Sequence, residues 1–371
     1  MNIQKVEMFH VSMELVQPFH THLETVKERP CIILKVTDET GISGWGEVVA
    51  FSSPWYTEET VDTAWHMLED YFIPAIFKKE WLDPRAVLDT LDSWKRNPMA
   101  KAGLEIAIWD LFAKRAKQPL AKYIGGVREV VKAGVVVGVD TPERMIHTIQ
   151  TRVEEGYQRI KVKIEPAKDY KMLMKIKNAF PNVDILADAN SAYTLEDIER
   201  IKNLDSLGLL MIEQPLAADD LVEHALLQKE LTTPVCLDES IVSYQDAKNA
   251  IRIGSCKTMS IKIGRVGGLR NAIAIHDLCM ENDIPVWCGG MLEMGISRAF
   301  NIALATLPNF TLPGDISSSD RYWKKDITFP KVVVKNGEVK VSSNPGIGVE
   351  VDEEYVKKIS LRTRSFFSKT T

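Results

Sequence analysis

The sequence predicts an α/β protein: a (β/α)7β modified TIM barrel joined to an α+β capping domain. Two observations carry this reading. First, between residues 161 and 262 five short apolar runs each end in charge: RIKVKI with Lys161 and Lys163, DILADAN with Asp188 and Asn190, LGLLMIEQP with Glu213, PVCLDES with Asp238 and Glu239, and KTMSIKIG with Lys262. From Lys163 onward the intervals are 25, 25, 25 and 24 residues, a length that fits one strand, one helix and two short loops. Second, the first 125 residues lack this rhythm and read as antiparallel strands followed by helices. In a barrel of parallel strands the C-terminal strand ends form the catalytic face, so the charges are expected on one rim.

At 371 residues, 45% hydrophobic and 26% charged, the chain has room for a barrel and an added domain. A net charge of −5 argues against a dedicated nucleic-acid binder. No apolar run approaches the roughly 20 residues of a membrane span, and the N-terminus alternates like a strand, without a signal peptide's apolar region. The five cysteines are odd in number and show no C-x-x-C. Reduced thiols in a cytoplasm are expected.

Taken in order, residues 2–11, 31–37 and 43–50 read as antiparallel strands, with Gly41 to Gly44 turning the last pair. The segment QPFHTHLETVKERP, with its isolated Phe19, reads as a loop: a lid or a surface connection. The aromatic loop VVAFSSPWYTEE leads into a helix starting at Thr57. In NPMAKAGLEIAIWDLFAKRAK, Asn97 is the expected N-cap, Pro98 the first helical residue, and Leu104, Ile108, Leu111 and Phe112 the apolar face. Gly125-Gly126 marks the domain boundary, giving a cap of residues 1–125 joined by 325–371 and a barrel of 126–324. AGVVVGV is the first barrel strand, IPVWCGG the seventh and NFTLPGD the eighth. The tail KVVVKNGEVKV alternates around an Asn336-Gly337 hairpin signal and is expected to return to the N-terminal domain.

Lys161 and Lys163, two apart on a strand, face the same way. Adjacent ammonium groups repel, and a neighbouring dication repels both, so lowered lysine pKa values are expected. Asp188, Glu213 and Asp238, on successive strands, suit one Mg²⁺ or Mn²⁺ with positions left for substrate. Such a metal stabilises an enolate formed by removing a proton next to a carboxylate. Asn190 and Glu239 read as metal ligands, as groups that orient the ligands, or as caps of the next helix. Arg265 reads as a substrate contact or a solvated loop residue. The glycines of IKIGRVGGLR read as a place for close backbone approach to substrate, and no dinucleotide fingerprint is present. A Schiff-base lysine aldolase on a plain barrel is the alternative of another class. A non-enzymatic binding protein has no use for lysines facing a metal site.

At these residues the sequence resembles the enolase superfamily, in particular its muconate-lactonizing subgroup. ADANSAYTLED, MIEQPLAADDLVEHALLQ, CLDES, IKIGRVGG, WCGGMLEMGISRA and LPGDISSSDRYW are similar to segments of the group of o-succinylbenzoate synthases and N-acylamino acid racemases. The similarity extends to FSSPWYTEET and MAKAGLEIAIWDL. The resemblance implies metal-dependent syn-dehydration of 2-succinyl-6-hydroxy-2,4-cyclohexadiene-1-carboxylate in menaquinone biosynthesis, with N-acylamino acid racemisation as the alternative or a second activity. It implies that Lys163 removes the α-proton, Lys262 stabilises the enolate from the other face, and Lys161 tunes Lys163. It also implies that Phe19 and the loop of the 50s cover the substrate and that Gly290, Met291 and Leu292 contact it. The chain departs from many relatives at His22, Leu23, Val136 and Met294, none of them a metal ligand. Expected partners are a small-molecule carboxylate and other copies of the chain in a homo-oligomer, with neither nucleic acid nor membrane.

Overall fold

The computed structural model of the chain describes residues 1–20, 24–138, 140–166 and 168–368. Seven parallel strands lie in sequence order in one sheet: Val135–Val137, Arg159–Lys163, Asp184–Asp188, Met211–Glu213, Val235–Leu237, Thr258–Ile261 and Val286–Cys288. Their residues are almost all buried, as their unbroken apolar character requires. A helix follows each strand. Thr141, Asp220 and Ser243 cap three of these helices with their side chains. Gly254, at φ 75°, closes the helix Tyr244–Ile253. The eighth run forms single bridges rather than a ladder. Phe310 pairs with Val286, and Gly314 pairs with Ala133, stitching the seventh strand to the first and curling the sheet into a barrel.

The other sheet has four antiparallel strands in the order Ser360–Phe367, Ile3–His20, Thr25–Asp38, Ser43–Val48. The loop expected around Phe19 is therefore a long hairpin. Alternating burial at Val11, Met13 and Leu15 carries the first strand onward, and after an irregularity beyond Glu14 the ladder resumes with Phe19 opposite Val26. His22 and Leu23 lie outside the described residues. The tail also departs from expectation. Asn336 and Gly337 do turn, with φ of 51° and 68°, but Glu338–Lys340 then pairs with Val130–Lys132, at the entry to the barrel. Ser360–Phe367 is the segment that returns to the N-terminal sheet.

The helix Pro98–Arg115 is buried around most of its circumference, not on one face. It can lie close to the sheet because Gly44 and Gly46 have no side chain: a Cβ on either would sit 2.0 Å from a helix carbonyl oxygen. Its expected cap, Asn97, is left-handed at φ 56° and makes no capping bond. Glu59 performs that task, accepting from the Met99 and Ala100 N–H groups at 2.7 and 3.0 Å. The preceding helix accordingly begins at Val61, capped by Thr60, not at Thr57. One apolar core runs through the cap and the barrel wall, and a small cluster of Leu186, Met211, Cys236 and Trp287 fills the barrel interior. All five cysteines are buried and free. No helix among the described residues is long and apolar enough to cross a membrane.

Candidate functional site

Strand register brings the charged residues together. Lys163 pairs with Asp188, and Asp188 with Glu213. Glu213 pairs with Cys236, and Cys236 with Thr258. Asp238 therefore stands two residues further along its strand, and Lys262 two further again, a stagger that follows from strand tilt. Past three strand ends the chain turns sharply. Asn190, Gln214 and Leu292 have φ of 42°, 40° and 55°, a region costly for residues with a side chain and often found at functional sites. Gln214 ties two of these loops together, since its Oε1 accepts from the Asp238 and Ser240 N–H groups.

The acids are fully buried and each meets a cation. Lys161 Nζ lies 2.8 Å from Asp188 Oδ2, 2.7 Å from Glu213 Oε1 and 3.5 Å from Asp315 Oδ2. Lys163 Nζ lies 2.6 Å from Asp188 Oδ2 and also bonds Asn190 Oδ1. Asn190 in turn donates to Glu239 Oε1 at 2.9 Å. On the other side Lys262 Nζ lies 2.7 Å from Asp238 Oδ2 and 2.8 Å from the Tyr56 hydroxyl. Arg265 bonds Asp238 Oδ1 and approaches the same hydroxyl at 3.0 Å.

The electrostatics follow from these pairings. Burial pulls the Lys161 ammonium down, but Asp188, Glu213 and Asp315 outweigh it and hold its pKa well above the usual lysine value. Burial likewise opposes charge on Lys262, and Asp238 reverses the effect, so its pKa is raised. The lowering expected at Lys161 therefore does not occur, because three carboxylates stand within 3.5 Å of its Nζ. Burial raises Glu213 well above the carboxylate range, and the charge of Asp188 adds to it. Burial also raises Glu239, assisted by Asp238. Asp188 and Asp238 are lowered despite burial, by the lysine pair and by Arg265 with Lys262 respectively. Burial pushes the Tyr56 phenol up to about 12, with Asp238 contributing.

A cavity opens over this rim. Lys161, Lys163, Asn190, Asp238, Glu239 and Lys262 line its floor, and Phe19, Gly290, Met291 and Leu292 also border it. Arg265 does not border it. It is fully buried, and its remaining donors reach the carbonyls of Ile241 and Ser260; it is neither solvated nor exposed to a ligand. The glycines after Lys262 serve packing: a Cβ on Gly264 would strike Val49, and one on Gly268 would lie 2.8 Å from Glu105. Of the departures noted above, Val136 borders the cavity, whereas Met294 is buried against Cys31. Tyr56 belongs to the loop of the 50s expected to cover the substrate; sequence reasoning assigned no role to Asp315, Arg298 and Tyr322, which also border the cavity. Asp315 carried a usable signal, since it ends an apolar run just as the other acids do. Arg298 and Tyr322 lie on no strand end; they fall within the segments WCGGMLEMGISRA and LPGDISSSDRYW, but no local pattern singles them out there.

The residues fit a divalent cation by their chemistry. Among the described residues no three acids, histidines or cysteines already converge as a bound ion requires, because Lys161 stands between Asp188 and Glu213. Yet Glu213 Oε2 and Glu239 Oε2 are buried without a hydrogen-bond partner among the described residues. Buried carboxylate oxygens seldom go unsatisfied, and hard cations take oxygen donors of this kind.

Residues 144–355 match the family described as enolase C-terminal domain-like, and residues 3–125 match the N-terminal domain of mandelate racemase / muconate lactonizing enzyme. The chain is 53% identical over 356 residues to the o-succinylbenzoate synthase of Bacillus subtilis, covering 96% of each. It is 42% identical to the N-succinylamino acid racemase of Thermus thermophilus, over 98% of this chain and 99% of that one. The crystal structure of an enolase-superfamily member from Listeria innocua is similar with a TM-score of 0.97 at 41% identity, over 100% of both chains.

Proposed function

This chain belongs to the mandelate racemase / muconate lactonizing group of the enolase superfamily, and on that premise we propose that it is an o-succinylbenzoate synthase. The reaction is syn-dehydration of 2-succinyl-6-hydroxy-2,4-cyclohexadiene-1-carboxylate to 2-succinylbenzoate in menaquinone biosynthesis. The 53% identity to the Bacillus subtilis synthase along nearly the whole chain carries this reading. Lys163 at the end of the second barrel strand and Lys262 just past the sixth, reaching one cavity together with Lys161, support it.

In this reading Lys163 takes the proton α to the ring carboxylate onto Nζ. The same proton then goes to the departing hydroxyl, which leaves as water. One group serving both steps makes the two departures occur on one face, the syn course. Asp188 and Asn190 orient the Lys163 amine. Lys262, kept charged by Asp238, stabilises negative charge developing on the substrate's carboxylate. Lys161 holds Asp188 and Glu213 in place beneath Lys163. Asp188, Glu213 and Asp238 would hold Mg²⁺ or Mn²⁺, which when bound supplies positive charge beside the carboxylate and so eases loss of the proton. Residues 1–125 and 325–371 act as the cap and 126–324 as the catalytic barrel. Five free, buried cysteines support a reducing, cytoplasmic setting.

Racemisation of N-succinylamino acids is the second reading, favoured by the 42% identity to the Thermus thermophilus enzyme and by the lysine on each side of the cavity. Assaying one purified, metal-loaded preparation with both substrates decides between them. Dehydration of the cyclohexadiene is expected. Racemisation without any dehydration would defeat the synthase reading.

A further inference from the structure

Four arginines are buried to 1% exposure or less: Arg29, Arg159, Arg265 and Arg298. A buried guanidinium stays charged, so each needs compensation. Arg159 pairs with Asp315 at 2.5 Å, and Arg265 pairs with Asp238. Arg29 lies among the carbonyls of Pro30, Val49, Ala50 and Met291, with the Phe51 ring 4.1 Å away. Arg29 makes no ion pair among the described residues, and neither does Arg298, which has a single carbonyl where Arg29 has four. One Arg298 nitrogen donates to the Glu293 carbonyl at 2.6 Å, the guanidinium lies 5.3 Å over the Tyr322 ring, and its Nη1 is buried without a partner among the described residues.

Arg298 also borders the cavity, alongside Tyr322 and Phe19. These residues do not come from the strand ends that carry the lysines. Arg298 lies in the first turn of the helix Gly295–Leu304, and Phe19 on the long hairpin. The backbone of Tyr322 is tied to that hairpin by the bond from Val16 N–H at 2.9 Å. The cavity thus has a floor of lysines and acids from strand ends, and a separate wall where the Arg298 helix meets the hairpin, with a buried cation that has no carboxylate partner among the described residues.

We propose that Arg298 is the receptor for a second carboxylate of the substrate, the one that ends the succinyl chain. The proposal rests on the functional reading above and extends it. The cyclohexadiene substrate carries a ring carboxylate, which must lie beside Lys163, and a succinyl carboxylate at the far end of a flexible chain. N-succinylamino acids carry the same pair. A receptor for the shared group explains how one cavity suits both while the reacting part differs. A planar guanidinium with an unpartnered Nη1 suits a carboxylate, and excluding water around it strengthens the pair.

The test compares 2-succinylbenzoate with 2-butanoylbenzoate, whose chain ends in methyl, by calorimetry on metal-loaded protein. A charge-assisted hydrogen bond contributes roughly 10- to 100-fold in affinity, so the wild type should prefer the dicarboxylate by about that factor. Arg298→Met should abolish the preference while leaving 2-butanoylbenzoate binding nearly unchanged. In turnover it should raise KM with little change in kcat, the signature of binding shared by ground and transition states. Arg298→Lys should keep part of the preference, and serves alone if the methionine variant does not fold. The proposal is overturned if the wild type shows no preference, if Arg298→Met weakens both ligands equally, or if Arg298→Lys leaves the preference intact. Clear discrimination by a protein that does not dehydrate the cyclohexadiene would overturn the functional reading and leave the carboxylate site standing.

Discussion

Lys163 and Lys262 differ in what surrounds them, and the difference makes their roles separable. Lys163 faces Asp188 and Asn190, whereas Lys262 is enclosed by Asp238, Tyr56 and Arg265. Lys163→Ala should remove the base and Lys262→Ala the charge stabilisation, each lowering dehydration by about 10²–10⁴. With an N-succinylamino acid in D₂O, Lys262→Ala should stop α-proton exchange from one enantiomer and only slow it from the other. Equal loss from both enantiomers in folded, metal-loaded protein would break the two-face assignment. The acids are separable too. Asp188→Asn, Glu213→Gln and Asp238→Asn should each weaken Mg²⁺ binding, read by calorimetry. Asp238→Asn should in addition lower stability by about 3–5 kcal/mol, because it strands two buried cations, Lys262 and Arg265. Chelation should abolish turnover and Mg²⁺ or Mn²⁺ restore it; full turnover in excess chelator would remove metal from the reaction.

At the scale of elements, three buried glutamates from the N-terminal region cap helices that are distant in sequence or lie across a loop. Glu47 accepts from Met294 and Ser297 N–H, Glu59 from Met99 and Ala100, and Glu105 from Leu269 and Arg270. Two of these bonds sets, those of Glu47 and Glu105, fasten the cap to barrel helices. Burial raises the Glu105 carboxyl to about 7, against the helix N–H groups that favour its charge. Between its ordinary value of 4.5 and about 7 the folded protein therefore keeps a proton that the unfolded chain has released. The stability this group contributes is complete below 4.5 and is lost as pH rises through 7. Glu105→Gln cannot titrate, so its urea midpoint should fall less steeply than the wild type's across that window. Parallel pH profiles for the two proteins would refute the assignment.

For the whole molecule, the active cavity is closed by two bodies of different construction. The barrel supplies lysines and acids from strand ends, and the cap supplies Phe19, Phe51, Trp55 and Tyr56. Substrate capture should therefore depend on the cap and metal affinity on the barrel. Phe19→Ala should raise KM while leaving the Mg²⁺ dissociation constant unchanged, since its side chain stands on the hairpin and meets none of the three acids. Loss of Mg²⁺ binding in that variant would show that the two bodies do not divide the work this way.

What the sequence determined by itself is the barrel and the residues of its rim. A parallel strand is a short apolar run, and a βα unit has a nearly constant length, so both leave a periodic trace that needs no partner to be seen. Asp188, Glu213, Asp238 and Lys262 were legible for that reason, and Asp315 would have been by the same rule. The tertiary structure decided what depends on residues far apart in the chain. Glu59 displaced Asn97 as a helix cap, and the long hairpin replaced a loop because its backbone pairs across strands that local pattern does not specify. Lys161 was read as the neighbour of another ammonium, but folding set Asp188, Glu213 and Asp315 around it, and their opposite charge outweighed burial. Arg265 became a buried support for Asp238, while Arg298, which no local pattern singled out within its segment, was left as a buried cation at the cavity wall, because charge balance is a property of the packed surroundings and not of the local sequence.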